Sequence, residues 1–418
     1  MADRPVIDLL DGRLYAQGSH SAYAWMRTNE PVYLDEANGV WGVASYDAVR
    51  AASKDTATFS NAGGIRPDNG PLPMMIDMDD PAHWKRRKLV NRGFTPKRVR
   101  DSEFDIREIC DTLIDRVCER GECDFVRDLA APLPMIVIGD MLGVAPDDRD
   151  DLLRWSDDMV SAQGGNVTDE QLMSAATAFT EYQEYAGAVI ERRRQEPTDD
   201  LMSTLVHADV DGDRLEHDDL VHESLLILVG GDETTRHVIS GGMEQLMLHP
   251  DQHRRLVDDR AGLDVAIEEM LRWVSPIKNM CRTVTRDTEF FGSQLHEGQK
   301  VMLLYEAANF DEQQFVDPER FDSARQPNDH VAFGFGAHFC LGNSLARLEM
   351  RVMFDRLLER LPDLHLDLGS LSQARAPAST VGEAAVLAAA ADALPRREAT
   401  FISGLESMPV AFSPTAPR

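Results

Sequence analysis

Hydrophobic residues recur every three or four positions along most of residues 101–361, which is the spacing of one buried helix face. The clearest stripe consists of Ile106, Ile109, Cys110, Leu113, Ile114 and Val117. Residues 219–248 contain no proline and predict a single helix of roughly 30 residues, against a mean length of about 11–12. A helix of that length usually runs through the middle of a large helical domain.

A smaller β part is predicted beside these helices. Residues 32–34 and 40–43 flank Asn38-Gly39, which is a strong signal for a hairpin turn. Residues 401–405 and 409–412 predict two further short strands near the C-terminus. The predicted β part lies within three stretches, at about residues 28–60, 281–305 and 400–413.

Two stretches follow neither pattern. Residues 61–80 are rich in glycine and proline and predict a long loop, and long loops inside a compact domain are usually functional. Residues 370–393 are rich in alanine and predict either a surface helix or a flexible insertion. Neither stretch is a convincing linker, so we predict one mainly α domain that spans residues 1–418.

The chain is strongly acidic: its 418 residues include 72 Asp and Glu against 43 Lys and Arg, a formal net charge of −29. Such a chain is a poor partner for nucleic acids and anionic membrane surfaces. It has no run of about 18 apolar residues, so no membrane span is predicted. Residues 1–5 lack an apolar secretion segment, and we expect a cytoplasmic protein. The five cysteines do not form a disulfide framework or a C-x-x-C pair.

The most specific motif lies at residues 333–342, which read FGFGAHFCLG and match F-x-x-G-x-[HR]-x-C-x-G at every fixed position. A helical pattern follows at once, so Cys340 is predicted at a helix N-terminus, where free N–H groups favour a thiolate. A thiolate is the axial ligand that pushes electron density onto heme iron. A lone cysteine is most often an inert buried residue, but the surrounding matches favour a heme ligand.

A second motif, Gly230-Gly231-Asp232-Glu233-Thr234, lies within the predicted long helix. Two glycines inside a helix cost roughly 1 kcal/mol each relative to alanine. They indicate a close approach to the backbone or a local opening of the helix. An acid beside a hydroxyl at that point can relay protons, although an exposed acidic turn with a tolerated glycine pair is equally consistent with the sequence.

Two weaker motifs complete the set. Glu269 and Arg272 lie three residues apart, so they share a helix face and can pair. This spacing usually marks a solvated salt bridge. Residues 315–321 form a turn-rich stretch that contains Arg320.

Taken in this order, the four motifs resemble the cytochrome P450 superfamily of heme-thiolate monooxygenases, and the resemblance covers nearly the whole chain. It implies the P450 fold, with heme b as cofactor and O2 as co-substrate. It identifies Cys340 with the axial ligand of the heme iron. It identifies Glu233 and Thr234 with the acid–alcohol pair that delivers protons to dioxygen.

The resemblance also implies roles for residues outside the reaction itself. Glu269, Arg272 and Arg320 correspond to a buried structural cluster, in which the loss of one partner strands a buried charge. The residues that correspond to contacts with the two heme propionates are His83, Arg87, Arg282 and His338.

Within the superfamily, residues 61–68, 74–83, 278–282 and 401–410 resemble the bacterial steroid side-chain hydroxylases of cholesterol breakdown. Members oxidise the terminal methyl carbon (C26/C27) of cholesterol or cholest-4-en-3-one and can continue to the carboxylic acid. The predicted substrate pocket is apolar and rich in methionine, with Met74, Met75, Ile76, Val229, Val274, Ile277, Met280, Ile402 and Leu405 as its lining. This lining does not choose between a sterol and a fatty acid; the resemblance does.

The leading hypothesis is a sterol monooxygenase that receives electrons from a ferredoxin and a ferredoxin reductase. A fatty-acid hydroxylase or a hydroperoxide-driven peroxygenase is an alternative. Glu233-Thr234 argues against a peroxygenase, because peroxygenases of this family tend to carry Arg-Pro at those positions. A heme sensor or carrier without turnover is a third hypothesis, and the intact pair argues against it as well.

Residues 85–100 contain eight cations and no acid, although the chain as a whole is acidic. A charge run usually means a solvated helix face. In the family, however, this helix lies on the face where electrons enter, and a basic patch there would steer an acidic ferredoxin. Because Arg87 is assigned to a propionate, the predicted docking residues are Lys85, Arg86, Lys88 and Arg92.

Overall fold

The structure is a computed structural model that describes residues 4–67, 70–162, 167–371 and 383–418. Its α-helices, in chain order, are α1 (Gly12–Ala16), α2 (His20–Asn29), α3 (Tyr46–Lys54), α4 (Ala82–Val90), α5 (Pro96–Asp101), α6 (Glu103–Asp115), α7 (Pro132–Leu142), α8 (Arg149–Ser161), α9 (Asp169–Gln195), α10 (Leu201–Val206), α11 (His217–Leu248), α12 (Pro250–Asp258), α13 (Leu263–Val274), α14 (Tyr305–Asn309), α15 (Asn343–Arg360), α16 (Leu368–Leu371) and α17 (Glu383–Asp392). The prediction of a mainly α fold is confirmed.

Helix α11 is the long helix that the sequence predicts, and it is 32 residues long. It begins with a capping box in which Glu216 and Asp219 each accept a hydrogen bond from the other's backbone N–H. It ends before His249 because a residue that precedes proline is disfavoured in the α region, and Pro250 opens α12. Helices α7, α9, α13 and α15 pack around α11, so it forms the centre of the helical part.

The β part is small and joins distant segments of the chain. Its strands are β1 (Val32–Asp35), β2 (Val40–Val43), β3 (Phe59–Ser60), β4 (Glu122–Asp124), β5 (Asn279–Val284), β6 (Thr288–Phe290), β7 (Ser293–Leu295), β8 (Lys300–Leu304), β9 (His365–Leu366) and β10 (Pro409–Ala411). The main sheet has the order β1-β2-β8-β5-β3, with β1 and β2 antiparallel and β2 and β8 parallel. The predicted hairpin is confirmed: Gly39 sits in its turn with a φ of +65°, which glycine adopts without strain.

The prediction of a strand at residues 401–405 is wrong. Two isolated bridges occur there instead, Ile277 with Ile402 and Arg396 with Leu405. Because neither bridge extends into a ladder, the segment is a loop that pairs with other parts of the chain at two residues only. β10, the strand that follows, pairs with β4 and β9.

The alanine-rich stretch at residues 370–393 carries helix α17 in its second half. Ala391 of this helix and the following Leu394 are buried in the main core, and α17 packs on α11. The helical alternative of the prediction therefore holds for this half. Residues 372–382 of the predicted insertion lie outside the described residues.

A buried ion cluster centred on Glu269 fixes α13 to the chain that leads toward Cys340. Arg272 donates from Nε and Nη2 to the Glu269 carboxylate, each at 2.8 Å, and both side chains are fully buried. Arg325 Nε lies 3.0 Å from Glu269 Oε2. The Asp322 N–H and Asn328 Nδ2 complete the cluster at 3.0 and 3.1 Å, so every donor in it comes from α13 or the loop at 322–328.

The prediction that Arg320 belongs to this cluster is wrong, because Arg325 takes that position. Arg320 is exposed, and its backbone carbonyl accepts a hydrogen bond from Arg325 Nη2 at 2.7 Å. Arg325 also donates to the carbonyls of Val316 and Asp317. The loop therefore wraps its backbone around the Arg325 guanidinium and leaves the Arg320 side chain in solvent.

We expect Arg325→Ala to lower the free energy of unfolding by roughly 3 kcal/mol, because the buried Glu269 carboxylate loses a charged partner. Arg320→Ala is the matched control on the same loop, and it should change the free energy of unfolding by less than about 0.5 kcal/mol. Denaturant unfolding of the holoenzyme, followed by tryptophan fluorescence, measures both. Equal losses in the two variants would contradict the assignment of Arg325 to the cluster.

Candidate active site

A tight loop that precedes α15 carries Cys340. The Cys340 N–H donates to the Phe333 carbonyl at 2.9 Å, and Asn343 Nδ2 donates to the Cys340 carbonyl at 2.7 Å. Gly336 has a φ of +76°, and a Cβ at this position would collide with the Ser53 carbonyl of α3. The loop is therefore closed on itself and pressed against α3, which fixes the position of the cysteine.

The Cys340 thiol experiences opposing electrostatic influences. Burial raises its pKa, while the N–H groups of Gly342 and Asn343 and the charges of Arg87 and Arg347 lower it, and burial prevails. The helix N-terminus thus supports a thiolate, as the sequence predicts, but does not produce one alone. A metal ion that coordinates the sulfur deprotonates it outright.

Cys340 borders an internal cavity with an empty volume of about 1260 Å³. Helix α11 contributes Gly230 and Thr234 to the wall, and α15 contributes Leu345 and Met350. The fold therefore brings the predicted thiolate ligand and the predicted hydroxyl to one space, although 106 residues separate Thr234 from Cys340 in the chain.

Three of the predicted propionate contacts, His83, Arg87 and His338, also border this cavity. The imidazole rings of His83 and His338 stack with their centroids 4.0 Å apart. His83 Nδ1 lies 3.2 Å from Asp80 Oδ1, whereas the buried Nε2 of His83 has no hydrogen-bond partner. A buried ring nitrogen without a partner indicates a site that a further polar group completes.

Arg282, the fourth predicted contact, is buried beside them and donates to the Cys281 carbonyl at 2.8 Å. Burial, together with the nearby His83, Arg282 and Arg87, lowers the pKa of His338 to about 3. His338 is therefore neutral at physiological pH, and the positive charge of the group rests on the two arginines. The group suits a ligand that carries carboxylates.

The predicted acid and hydroxyl lie on different sides of α11. Thr234 borders the cavity, and its Oγ1 donates to the Gly230 carbonyl at 2.8 Å. Glu233 is fully buried away from the cavity wall, 2.6 Å from Arg236 and 2.7 Å from Arg397. Burial raises the pKa of Glu233, and the two arginines oppose that shift. The pair is thus present, but only its hydroxyl faces the cavity.

The glycine pair next to these residues permits a close approach, as the sequence predicts, and does not open the helix. A Cβ on Gly231 would lie 2.6 Å from Ile138 Cδ1, so α7 packs directly on the α11 backbone there. Gly230 has no atom within 4 Å of its Cβ position, because it faces the cavity. α11 remains helical throughout this region.

Glu349 is a cavity residue that the sequence analysis missed. It lies on α15, is buried, and has an unpartnered Oε2. Burial and the negative charge of Asp232 raise the pKa of Glu349 to about 8, and burial raises that of Asp232 to about 8 as well. The available signal was an acid among the apolar positions Leu345, Leu348 and Met353 of the predicted helix.

Most of the predicted substrate-contacting residues lie on cavity walls. Met75, Ile76, Ile277 and Met280 border the main cavity. A second compartment, with an empty volume of about 580 Å³, shares walls with the first at Ile76, Leu226, Gly230, Thr234, Ile277 and Met280. The predicted residues that border only this outer compartment are Met74, Val229 and Ile402. The two compartments therefore adjoin each other, and both have mostly apolar walls.

Two predicted contacts, Val274 and Leu405, are wrong. Val274 is packed against α11, where a Cβ on Gly241 would lie 2.8 Å from Val274 Cγ2. Leu405 is buried in the main core and bridges Arg396. Phe401, which the prediction omitted, borders the outer compartment instead.

The comparisons with known proteins agree with this geometry. The profile of the family described as Cytochrome P450 matches residues 167–364. The steroid C26-monooxygenase of Mycobacterium tuberculosis H37Rv is 56% identical over 418 residues, which is 100% of both chains. The chain belongs to the cytochrome P450 family.

Further relatives of this cytochrome P450 span bacterial lipid oxidation. The steroid C26-monooxygenase of Mycolicibacterium smegmatis is 55% identical, over 100% of this chain and 98% of the relative. The methyl-branched lipid omega-hydroxylase of M. tuberculosis is 37% identical, over 85% and 86%. The crystal structure of CYP109E1 from Bacillus megaterium with testosterone covers 94% of this chain and 99% of its own, with a TM-score of 0.81 and 32% identity.

Cytochromes P450 carry heme and use O2, and the residues of this site fit that cofactor. The thiol of Cys340 borders the cavity. The cavity walls are mostly apolar, which suits the apolar faces of a porphyrin ring. His83, with its unpartnered Nε2, and Arg87 border the cavity, and Arg282 is buried near His338, so the site offers hydrogen-bond donors and positive charge to the carboxylates of the cofactor. Among the described residues, no cluster of His, Cys, Asp and Glu could hold a separate metal ion.

The predicted docking cations of this cytochrome P450 are only partly on the surface. Lys85 is exposed and Lys88 is half-buried on α4, and they lie 3.5 and 3.8 Å from Asp213 and Asp211. Arg92 is exposed just beyond that helix. These three cations remain compatible with a docking surface, although two of them are partly neutralised by nearby acids.

The prediction that Arg86 belongs to this surface is wrong. Its side chain is only 17% exposed, and it points toward α11. There it pairs with Asp219 at 2.7 Å and with Glu223 at 3.3 Å. Two acids on one turn of α11 draw the Arg86 side chain inward, away from any partner protein.

Throughout the described ranges, no helix is both long enough and apolar enough to cross a membrane.

Proposed function

We propose that this cytochrome P450 hydroxylates the terminal methyl carbon (C26/C27) of the side chain of cholesterol or cholest-4-en-3-one and can carry the oxidation on to the carboxylic acid. It uses O2 and electrons from a ferredoxin. The observation that carries the proposal is the pair of adjoining, mostly apolar compartments, of which Cys340 borders the inner one and Phe401 the outer one, with Ile76 and Ile277 in the walls that they share. The three mycobacterial relatives named steroid C26-monooxygenase, at 55–57% identity, support the substrate class.

Polar side chains at the outer compartment give a sterol one preferred orientation. Cys340 borders only the inner compartment and Thr234 borders both, whereas Arg66 and Asp77 border only the outer one. A sterol that enters with its side chain first places the terminal methyl groups in the inner compartment, beside Thr234. Its oxygen at C3 then lies toward Arg66 and Asp77, where a polar atom keeps hydrogen-bonding partners instead of being buried without them.

We propose that the Cys340 thiolate would hold the heme iron, and that His83, Arg87, Arg282 and His338 would hold the heme carboxylates. Heme with a thiolate ligand supplies the reductive activation of O2, because the thiolate favours cleavage of the O–O bond. The protein residues hold the cofactor, exclude water with an apolar wall and orient the side chain of the sterol.

We expect cholest-4-en-3-one to produce a low-spin to high-spin shift in the ferric holoenzyme, because a bulky apolar ligand displaces water from the inner compartment. Optical titration measures the shift, and product analysis after turnover with ferredoxin and reductase identifies the hydroxylated carbon. A methyl-branched fatty acid is the matched ligand for the alternative function. A spin-state shift with the fatty acid and none with the sterol would contradict a sterol substrate and would favour a fatty acid.

Thr234 is the protein group that we assign to proton delivery at the cavity. Its hydroxyl faces the cavity while it donates to the Gly230 carbonyl, so a rotation of the side chain would direct the hydroxyl proton into the cavity. Glu233, the neighbouring acid, is held by Arg236 and Arg397. For Glu233 to resupply the hydroxyl with a proton, its carboxylate must leave one of these arginines, so we assign it a role in resupply alone.

We expect Thr234→Ala to keep the affinity for the sterol while it diverts reducing equivalents to hydrogen peroxide. The expected loss is roughly 10²-fold or less in hydroxylated product per electron, in line with the usual contribution of a positioned acid or base. Thr234→Ser, which keeps the hydroxyl, is the control and should retain most of the coupling. Product per NADH and peroxide yield are the measurements, and unchanged coupling in Thr234→Ala would contradict the role.

We also propose that residues 1–418 act as one domain in the cytoplasm. The main hydrophobic core contains residues from Met74 to Phe412 and therefore joins distant parts of the chain. All five cysteines are free, which suits a reducing compartment.

We propose that a ferredoxin, reduced by a ferredoxin reductase, docks on the surface formed by Lys85, Lys88 and Arg92. Lys85 and Arg92 are exposed and Lys88 is half-buried, and all three lie on or just after α4, the helix that also carries His83 and Arg87. The net charge of −29 would repel an acidic ferredoxin elsewhere on the molecule. Trp84, with 53% of its surface exposed on the same helix, adds an aromatic contact of the kind enriched at interfaces.

We expect the double charge reversal Lys85→Glu and Lys88→Glu to slow electron transfer from the ferredoxin about tenfold or more at low salt, because steering is lost. The control is Arg13→Glu with Arg120→Glu, an equal change of charge at exposed cations outside α4. Stopped-flow reduction at several ionic strengths measures the rates. If both pairs slow the transfer equally, the effect is one of net charge, and the docking surface is refuted.

A further inference from the structure

A buried acid on α11 holds the backbone of the cavity wall. The Met75 N–H donates to Glu223 Oε1 at 2.7 Å, and the Glu223 side chain is fully buried. Met75 begins the short 3₁₀ helix Met75–Asp77, and both Met75 and Ile76 border the main cavity. Glu223 itself lies outside the cavity wall, so it acts on the cavity only through this segment.

Arg86 holds Glu223 from the other side. Its Nη1 lies 3.3 Å from Glu223 Oε1 and 3.3 Å from the Pro73 carbonyl, while its Nη2 lies 2.7 Å from Asp219. Arg86, which lies on α4, thus contacts both α11 and Pro73, the residue two positions before Met75. A buried carboxylate needs such a partner, because an unpaired buried charge is strongly destabilising.

Other polar contacts fasten the wall segment within its own loop. The Asp77 carboxylate accepts from the N–H groups of Ile65 and Leu72, each at 2.8 Å. Asn61 Nδ2 donates to the Ile76 carbonyl at 2.9 Å. These contacts give the loop its internal shape, but they do not fix its distance from α11. The hydrogen bond from Met75 to Glu223 joins the wall segment to α11 directly, whereas Arg86 joins them only through the Pro73 carbonyl.

The distance between the wall segment and α11 matters for the reaction. Thr234 lies on α11 and Met75 on the wall segment, and both border the cavity that Cys340 also borders. The reacting end of the substrate must therefore fit between these two residues. A displacement of about 1 Å at such a point is enough to change which atom is in reach of the reacting centre. The width of this gap therefore decides which carbon of a flexible side chain is presented.

We propose that Glu223, held by Arg86, is a positioning residue that sets the Met75 wall and thereby selects the terminal carbon for oxidation. This inference rests on the proposed sterol hydroxylation. It assigns no contact with the substrate to either residue. In this proposal, the hydrogen bond from the Met75 N–H to Glu223, behind the cavity wall, controls the regioselectivity of the oxidation.

The primary variant is Glu223→Leu, which fills a similar volume but offers no acceptor to the Met75 N–H. Glu223→Gln is the conservative variant, because its amide oxygen still accepts that hydrogen bond. Asp219→Asn is the matched control: it weakens the other partner of Arg86 and has no contact with Met75. All are measured as holoenzymes that keep the carbon monoxide difference spectrum of the wild type, and Glu223→Ala replaces Glu223→Leu if the latter does not retain heme.

The first readout is hydrogen exchange of the peptide that contains Met75, without substrate. We expect the Met75 amide to exchange about tenfold faster in Glu223→Leu than in the wild type, because its acceptor is removed. Exchange in Glu223→Gln and Asp219→Asn should stay within about twofold of the wild type. Unchanged exchange in Glu223→Leu would overturn the inference, whatever the substrate is.

The second readout is the ratio of terminal-methyl product to products hydroxylated at neighbouring side-chain carbons, with cholest-4-en-3-one. We expect this ratio to fall about fivefold in Glu223→Leu, as the loss of one hydrogen bond allows, and to persist in Glu223→Gln and Asp219→Asn. Faster exchange with an unchanged ratio would also overturn the inference. If the wild type does not oxidise the sterol, the proposed function fails, and the same ratio is then measured on the branched fatty acid that it oxidises.

Discussion

Ion pairs between buried carboxylates and arginines hold together the elements around the cavity. Glu269 joins α13 to the loop before Cys340 through Arg325, Glu233 joins α11 to the C-terminal segment through Arg397, and Glu223 joins α11 to α4. Each pair links segments that are distant in sequence. Since an unpaired charge at any of these points is costly, the relative positions of the elements are tightly restricted.

This restriction explains why a large apolar cavity is compatible with a stable fold. An apolar cavity loses the packing contacts that would otherwise hold its walls. Here the walls are fixed from behind, at Glu223 for the Met75 segment and at Glu233 for α11. Several cavity residues, such as Ile138 and Met350, also belong to the main hydrophobic core. The buried ion pairs therefore add to the core packing that holds the cavity walls in place.

The sequence predicts features that depend on local spacing. The Cys340 loop, the β1–β2 hairpin and the uninterrupted α11 each follow from residues within one short segment, and all three are present in the structure. The sequence does not indicate that Arg325, and not Arg320, pairs with Glu269. This pairing depends on how the loop folds around the Arg325 guanidinium.

The sequence also does not indicate that the Arg86 side chain points toward α11 and away from solvent. Residues 85–88 are all cationic, so the pattern of α4 does not indicate which face is buried. The acids that select Arg86 lie on α11, more than 130 residues later in the chain. Val274 and Leu405 were misplaced because an apolar residue next to a pocket segment can face the core as readily as the ligand.

Helix α4 connects the substrate side of the site to the side that holds the cofactor. Consecutive residues on a helix point about 100° apart, so Arg86 reaches α11 and the Met75 wall while Arg87 reaches the Phe339 carbonyl, next to Cys340. α4 is only nine residues long, and it therefore carries both contacts within one short element. The proposed docking residues Lys85 and Lys88 lie on this helix as well. The proposed docking surface and the support of the Met75 wall thus depend on the placement of a single short helix.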